Sequence, residues 1–117
     1  MGRVPRSQQW AEEACYHVMD RGDNRAAVFT DDEDRRAFLR LVGRYRERSG
    51  FRLHHYCLMD NRFHLLLQLQ DPRLLSPLLA GLLRAYVHHF HRRDCFVGHL
   101  WQGRFKTPPT MLPDGLR

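Results

Sequence analysis

Polar and apolar positions alternate along the chain with two periods, and the switches between them mark its elements. Ala14 to Met19 is a short strand candidate. It ends at the polar, turn-rich cluster Asp20-Arg21-Gly22-Asp23-Asn24. Thr30-Asp31-Asp32-Glu33 then reads as a capping box, with Thr30 as the cap and Glu33 three residues on. Asp31, Asp32, Glu33 and Asp34 suit the positive end of a helix dipole. Ala37, Phe38, Leu41, Val42 and Tyr45 follow at helical spacing, and Ser49-Gly50 stops the helix. Arg36, Arg40 and Arg44 line a different face from that apolar stripe.

The period then falls to two. Phe51 to Met59 and Arg62 to Leu69 are rich in strand formers, and Asp60-Asn61 between them suits a two-residue hairpin turn. On the second strand Phe63, Leu65, Leu67 and Leu69 share a wholly apolar face that belongs against helices. Arg62, His64, Leu66 and Gln68 share the other, polar at its turn end. A second helix is expected from Ser76 as cap and Pro77 as first helical residue, with Leu78, Leu79, Leu82, Leu83, Tyr86 and Phe90 as its buried stripe. A last short strand could begin near Arg104, before Pro108, Pro109 and Pro113 forbid much further regular structure. The order is β-α-β-β-α-β, which predicts an α+β, ferredoxin-like domain with an antiparallel sheet and helices on one face. The other face is left for a partner or substrate. One domain over residues 1–117 is expected, with 108–117 as an irregular tail.

Charge narrows the functional classes. Of the 19 basic residues only Lys106 is a lysine, and the formal net charge is +6. Residues 1–34 carry a net −4 and residues 35–117 a net +10. A basic body on a small domain suits polyanions, nucleic acid above all, although it also fits a merely solvated surface. No stretch has the roughly 18 consecutive apolar residues of a membrane span, and no apolar segment follows Arg3 and Arg6 as a secretory signal would require. Cys15, Cys57 and Cys95, odd in number and far apart, read as reduced thiols and imply a cytoplasmic protein.

Five segments in register resemble the REP-associated tyrosine transposases, relatives of the insertion-sequence single-strand (HUH) transposases. They are Tyr16-His17-Val18-Met19-Asp20-Arg21-Gly22-Asp23-Asn24-Arg25; Asp31-Asp32-Glu33-Asp34-Arg35 with Phe38-Leu39; His54, Tyr56-Cys57-Leu58-Met59 and Asn61; Tyr86, Phe90 and Arg92-Arg93; and Gly98-His99-Leu100-Trp101-Gln102-Gly103-Arg104-Phe105-Lys106. The resemblance spans about residues 14–107. It implies a homodimer that recognises hairpins in single-stranded DNA. It also implies a His-hydrophobe-His pair and a polar side chain holding a divalent cation, Mg²⁺ or Mn²⁺, and a Tyr on a later helix that attacks a DNA phosphate to give a 5′-phosphotyrosine link.

The chain departs from that pattern in its chemistry. The His pair falls on Arg62-Phe63-His64, so only His64 remains as a metal ligand. A guanidinium has no lone pair to give, and one imidazole beside it is a poor site for a hard cation. The sequence ends at Arg117 without a Tyr-x-x-x-Asn segment, so a form truncated before the nucleophile helix is expected. Tyr86 is the fallback nucleophile, although its spacing with Leu82, Leu83 and Phe90 places it in a core. His88, His89 and His91 invite a zinc reading, but no Cys stands at ligand spacing. Arg62 would stand where the metal stood and could take a phosphate, or it is a solvated strand-end Arg. Arg21, Asn24 and Arg25 flank a turn suited to a backbone contact. Gln102, Arg104 and Lys106 suit phosphate contact, and Trp101 either stacks on an unpaired base or lids the sheet edge. The expected function is a transposase-like domain that binds single-stranded or hairpin DNA and is impaired in nicking and strand transfer. The alternatives are a working transposase and a gene remnant without selected activity.

Overall fold

The structure is a computed structural model, and it describes residues 15–94, 99–103 and 105. Three strands and two helices follow in the order β1 (Cys15–Arg21), α1 (Asp32–Ser49), β2 (Arg52–Met59), β3 (Arg62–Gln68) and α2 (Leu75–Asp94). The sheet is antiparallel throughout, in the order β1-β3-β2. The expected α+β architecture is what the structure has. The fourth strand expected near Arg104 begins outside the described residues. Among those described, the last segment adds only an isolated bridge between Trp101 and Gly22.

The central strand carries the core. Phe63, Leu65 and Leu67 of β3, with Leu69 just beyond it, are at most 1% exposed. They meet Phe38 and Val42 of α1 and Leu79, Leu82 and Tyr86 of α2. Complete burial of such side chains stabilises by roughly 1.5–3 kcal/mol each. The opposite face of β3 is accessible only at its turn end. Arg62 and His64 are half-buried, whereas Leu66 and Gln68 further along are buried.

Both helix starts differ from expectation. Asp31, not Thr30, caps α1, its side chain accepting from the Asp34 amide at 3.0 Å. The residue reaching back is Asp34, not Glu33, and it takes both the amide and the hydroxyl of Thr30. The capping box is therefore displaced by one residue, because Asp34 gains partners from α2 that Glu33, on the exposed side, would not reach. Ahead of α2, Asp71 rather than Ser76 caps the chain, accepting from the Arg73 amide, and Pro72 opens a 3₁₀ turn that runs into α2. Ser76 and Pro77 then lie inside the first turn, where a missing N–H costs nothing. Gly50 ends α1 in the left-handed conformation at φ 71°, its amide bonded to the Arg46 carbonyl. Gly22 is required for a different reason: a Cβ there would meet the Ala26 carbonyl oxygen at 2.1 Å.

Candidate functional site

The accessible end of the open sheet face is built by register. β1 and β3 pair so that Arg21 stands directly opposite Arg62, and β2 places Met59 on the other side of Arg62. Arg62 donates from Nε to the Met59 sulfur at 3.0 Å. Arg21 donates from Nε to Gln102 Oε1 at 2.6 Å. Among the described residues no carboxylate pairs with either guanidinium. Like charges directly opposite on neighbouring strands destabilise a sheet, by up to about 1 kcal/mol. Two Arg in this arrangement are therefore set for an anion.

Gln102 reaches Arg21 because the segment before it is stitched to the end of β1. The Asp23 amide donates to the Leu100 carbonyl at 2.9 Å, and the Gln102 amide to the Arg21 carbonyl at 2.8 Å. Trp101 anchors this segment. Its indole is 8% exposed, packs edge-to-face on Phe63 at 5.4 Å, and donates from Nε1 to the Leu83 carbonyl at 3.3 Å. Trp101 is thus a lid on the core and not a platform for an unpaired base, which corrects one of the two sequence readings.

One step further into the sheet, His64 is flanked by Met19 of β1 and Cys57 of β2. His17 approaches it diagonally. His17 Nε2 and His64 Nδ1 lie within hydrogen-bonding distance at 2.7 Å, with the rings stacked at 4.9 Å. Burial holds the His64 pKa below its ordinary value, and the positive potential of His17 and Arg62 lowers it further. Among the described residues no three His, Cys, Asp or Glu side chains converge as metal ligands, the helical His88, His89 and His91 included.

Asn24 and Arg25 lie on an exposed 3₁₀ turn beyond Arg21. Both are left-handed, at φ 56° and 61°. Asn tolerates that conformation, while Arg25 is strained by roughly 1–2 kcal/mol. Tyr86 does not reach this site. It is fully buried, and its hydroxyl donates to the Val28 carbonyl. The fallback nucleophile is thereby a core residue. Arg104 and Lys106 lie outside the described residues. The structure thus gathers Arg21, Arg62, His64 and Gln102 at one end of the face, with Asn24 and Arg25 on the adjoining turn. Sequence reasoning missed His17 as a site residue, since only strand register brings it to a residue 47 positions away.

The fold, a three-stranded antiparallel sheet backed by two helices, is similar to that of transposases among solved structures. One is a candidate transposase from Deinococcus radiodurans R1, 16% identical, with a TM-score of 0.70 over 96% of this chain and 85% of that one. Another is a REP-associated tyrosine transposase bound to a REP hairpin, 13% identical, with a TM-score of 0.56 over 92% of this chain and 61% of that one. The chain thus spans less than two thirds of the second protein. No curated protein matches. The family model for IS200-like transposases matches residues 11–110, and the chain belongs to that family. Among the described residues no helix is long and apolar enough to cross a membrane.

Proposed function

We propose that this transposase-family domain binds single-stranded or hairpin DNA through the turn end of its open sheet face and is impaired in nicking and strand transfer. The observation that carries the binding reading is the opposed pair Arg21 and Arg62, which has no carboxylate among the described residues. A phosphate between them would accept from both guanidinium forks and remove their repulsion. Gln102 steadies Arg21, Arg25 extends the cationic edge, and Asn24 adds a neutral amide beside it. Arg104 and Lys106 join this reading on their place in sequence. The hairpin bound by the REP-associated neighbour supports DNA as the partner, and the family resemblance supports a homodimer as the working form.

The impairment reading rests on the donor set. Arg62 offers no lone pair, and His64 Nδ1 already faces His17. These residues do not fit Mg²⁺ or Mn²⁺, which take oxygen ligands in near-regular geometry. Tyr86, the fallback, has its hydroxyl sealed in the core.

Labelled hairpin oligonucleotides titrated between about 50 and 200 mM salt test the binding. Affinity should fall steeply with salt, and Arg21→Ala with Arg62→Ala should make the slope shallower by about 0.9 for each phosphate no longer neutralised. Absence of binding at the lowest salt would sink this reading. Incubation of the same strands with Mn²⁺ should leave them intact, and a covalent protein–DNA adduct would overturn the impairment.

A further inference from the structure

The two helices form the layer behind the sheet, and they pack antiparallel. Asp34 near the start of α1 meets His89 and Arg93 near the end of α2, while Tyr45 near the end of α1 meets Gly81 near the start of α2. Each helix carries an exposed row of basic residues at four-residue steps. On α1 these are Arg36, Arg40, Arg44 and Arg48, and on α2 they are Arg84, His88 and Arg92. Between the rows runs a groove of about 390 Å³, walled by Arg40, Arg44, His88 and Arg92 over a floor of Ala37 and Leu41.

Among the described residues no acidic side chain lines that groove. Four carboxylates near the helix ends are already taken, while the exposed Glu33 and Glu47 of α1 stand outside the groove's lining. Asp31 and Asp34 pair with Arg93, and Asp32 and Asp60 pair with Arg35. Among the described residues no ion pair reaches Arg36, Arg40, Arg44, Arg84 or Arg92. Like charges four residues apart on a helix cost about 0.2–0.5 kcal/mol per pair, and the second row faces the first across helices whose axes pack about 8–10 Å apart. The arrangement costs stability unless an anion lies along the groove.

We propose that the helix layer is a second DNA-binding surface, which takes the phosphodiester backbone of a double-stranded segment. The inference rests on the reading that the chain binds DNA, and it adds a contact on the layer opposite Arg21 and Arg62. The groove favours a duplex because no Phe, Tyr or Trp among the described residues lines it to stack on unpaired bases. It offers rows of basic residues and no base-reading depth, so the contact is with the backbone and is independent of sequence. A chain with both surfaces filled holds an unpaired or hairpin segment on the sheet and a duplex on the helices.

The full chain is titrated with a blunt duplex of about 20 base pairs and with a hairpin carrying a single-stranded arm, at several salt concentrations. The triple variant Arg40→Ala, Arg44→Ala, Arg92→Ala should bind the duplex at least about tenfold more weakly, with a salt slope shallower by about 0.9 for each phosphate it ceases to neutralise. The triple variant with Lys at the same positions should keep most of the affinity, because a backbone contact needs charge. Arg21→Ala with Arg62→Ala should weaken the hairpin and leave the blunt duplex unchanged. Duplex binding untouched by the Ala triple overturns the inference, as does equal loss in the Ala and Lys triples. Hairpin binding without any duplex binding overturns it while the sheet-face reading stands. A wild-type chain that binds neither probe overturns both.

Discussion

Two charged clusters in this molecule stand in opposite states of completion. Where α1 meets α2, the carboxylate of Asp34 is fully buried, and four groups surround it. The amide and hydroxyl of Thr30 donate to one oxygen, and His89 Nε2 and Arg93 meet the other at 2.8 and 2.7 Å. At the turn end of the sheet, Arg21 and Arg62 face one another with no anion among the described residues. The first cluster is satisfied within the chain and joins two helices. The second is incomplete and is completed only from outside. Completion separates the two roles better than charge does, since both clusters contain Arg and both sit at the ends of elements.

The largest effect is expected where the cluster is complete. Asp34→Ala leaves His89 and the Thr30 amide without their acceptor and should cost about 3 kcal/mol, read as a lowered urea midpoint at constant slope. Arg93 keeps Asp31 as a partner, which limits the loss. A change under about 1 kcal/mol would mean that the helix junction does not depend on this carboxylate.

Acid should dissolve the same cluster. Burial alone would raise the Asp34 pKa, but the hydrogen bonds from Thr30, His89 and Arg93 outweigh it and hold the carboxyl below its ordinary value. A depressed folded pKa contributes stability that is present above the unfolded value of about 3.9 and is lost as pH falls through the folded one. Wild type should lose stability below about pH 4, and Asp34→Ala should lose less over that window. Parallel pH profiles of the two proteins would break the assignment.

A smaller loss is expected from Tyr86→Phe. It removes one buried hydroxyl and leaves the Val28 carbonyl short of a donor, for about 1 kcal/mol. Hairpin affinity should not move, because Tyr86 touches the core and not the open face. A change in DNA cleavage or adduct formation would return Tyr86 to the chemistry.

The smallest effect on stability has the opposite sign. Arg62→Ala relieves the repulsion with Arg21 and should stabilise the free protein by a few tenths of a kcal/mol, while hairpin affinity falls by about tenfold. Thermal melts set beside binding curves measure both. Loss of stability with unchanged affinity would make Arg62 part of the fold and remove the contrast between the two clusters.

Much of the fold was legible in order. The apolar alternation of β3 marks the face that packs on the helices, because side chains on a strand alternate whatever surrounds them. The stop at Gly50 is legible because only a residue free of Cβ strain turns left-handed there at no cost. The helix starts were legible only to within a few residues. Thr30 and Asp31 are both good caps, as are Asp71 and Ser76, and contacts with distant residues choose between them. At the site, the resemblance led to the expectation of a His where Arg62 stands, and the helical spacing of Tyr86 with Leu82, Leu83 and Phe90 already pointed to the core that the structure gives it.

What the sequence by itself determined is the set of elements and the residue types each one presents. These follow from local periods, caps and turn residues that act within a few positions. Tertiary structure alone decided which of those residues meet. Strand register put Arg21 against Arg62 and His17 against His64, at sequence separations of 41 and 47. Helix packing brought His89 and Arg93 to Asp34 and left the groove between the basic rows without carboxylates among the described residues. Burial turned Trp101 from a possible stacking platform into a lid. These pairings rest on register and packing angle, which depend on every element at once, and no local pattern in the chain encodes them.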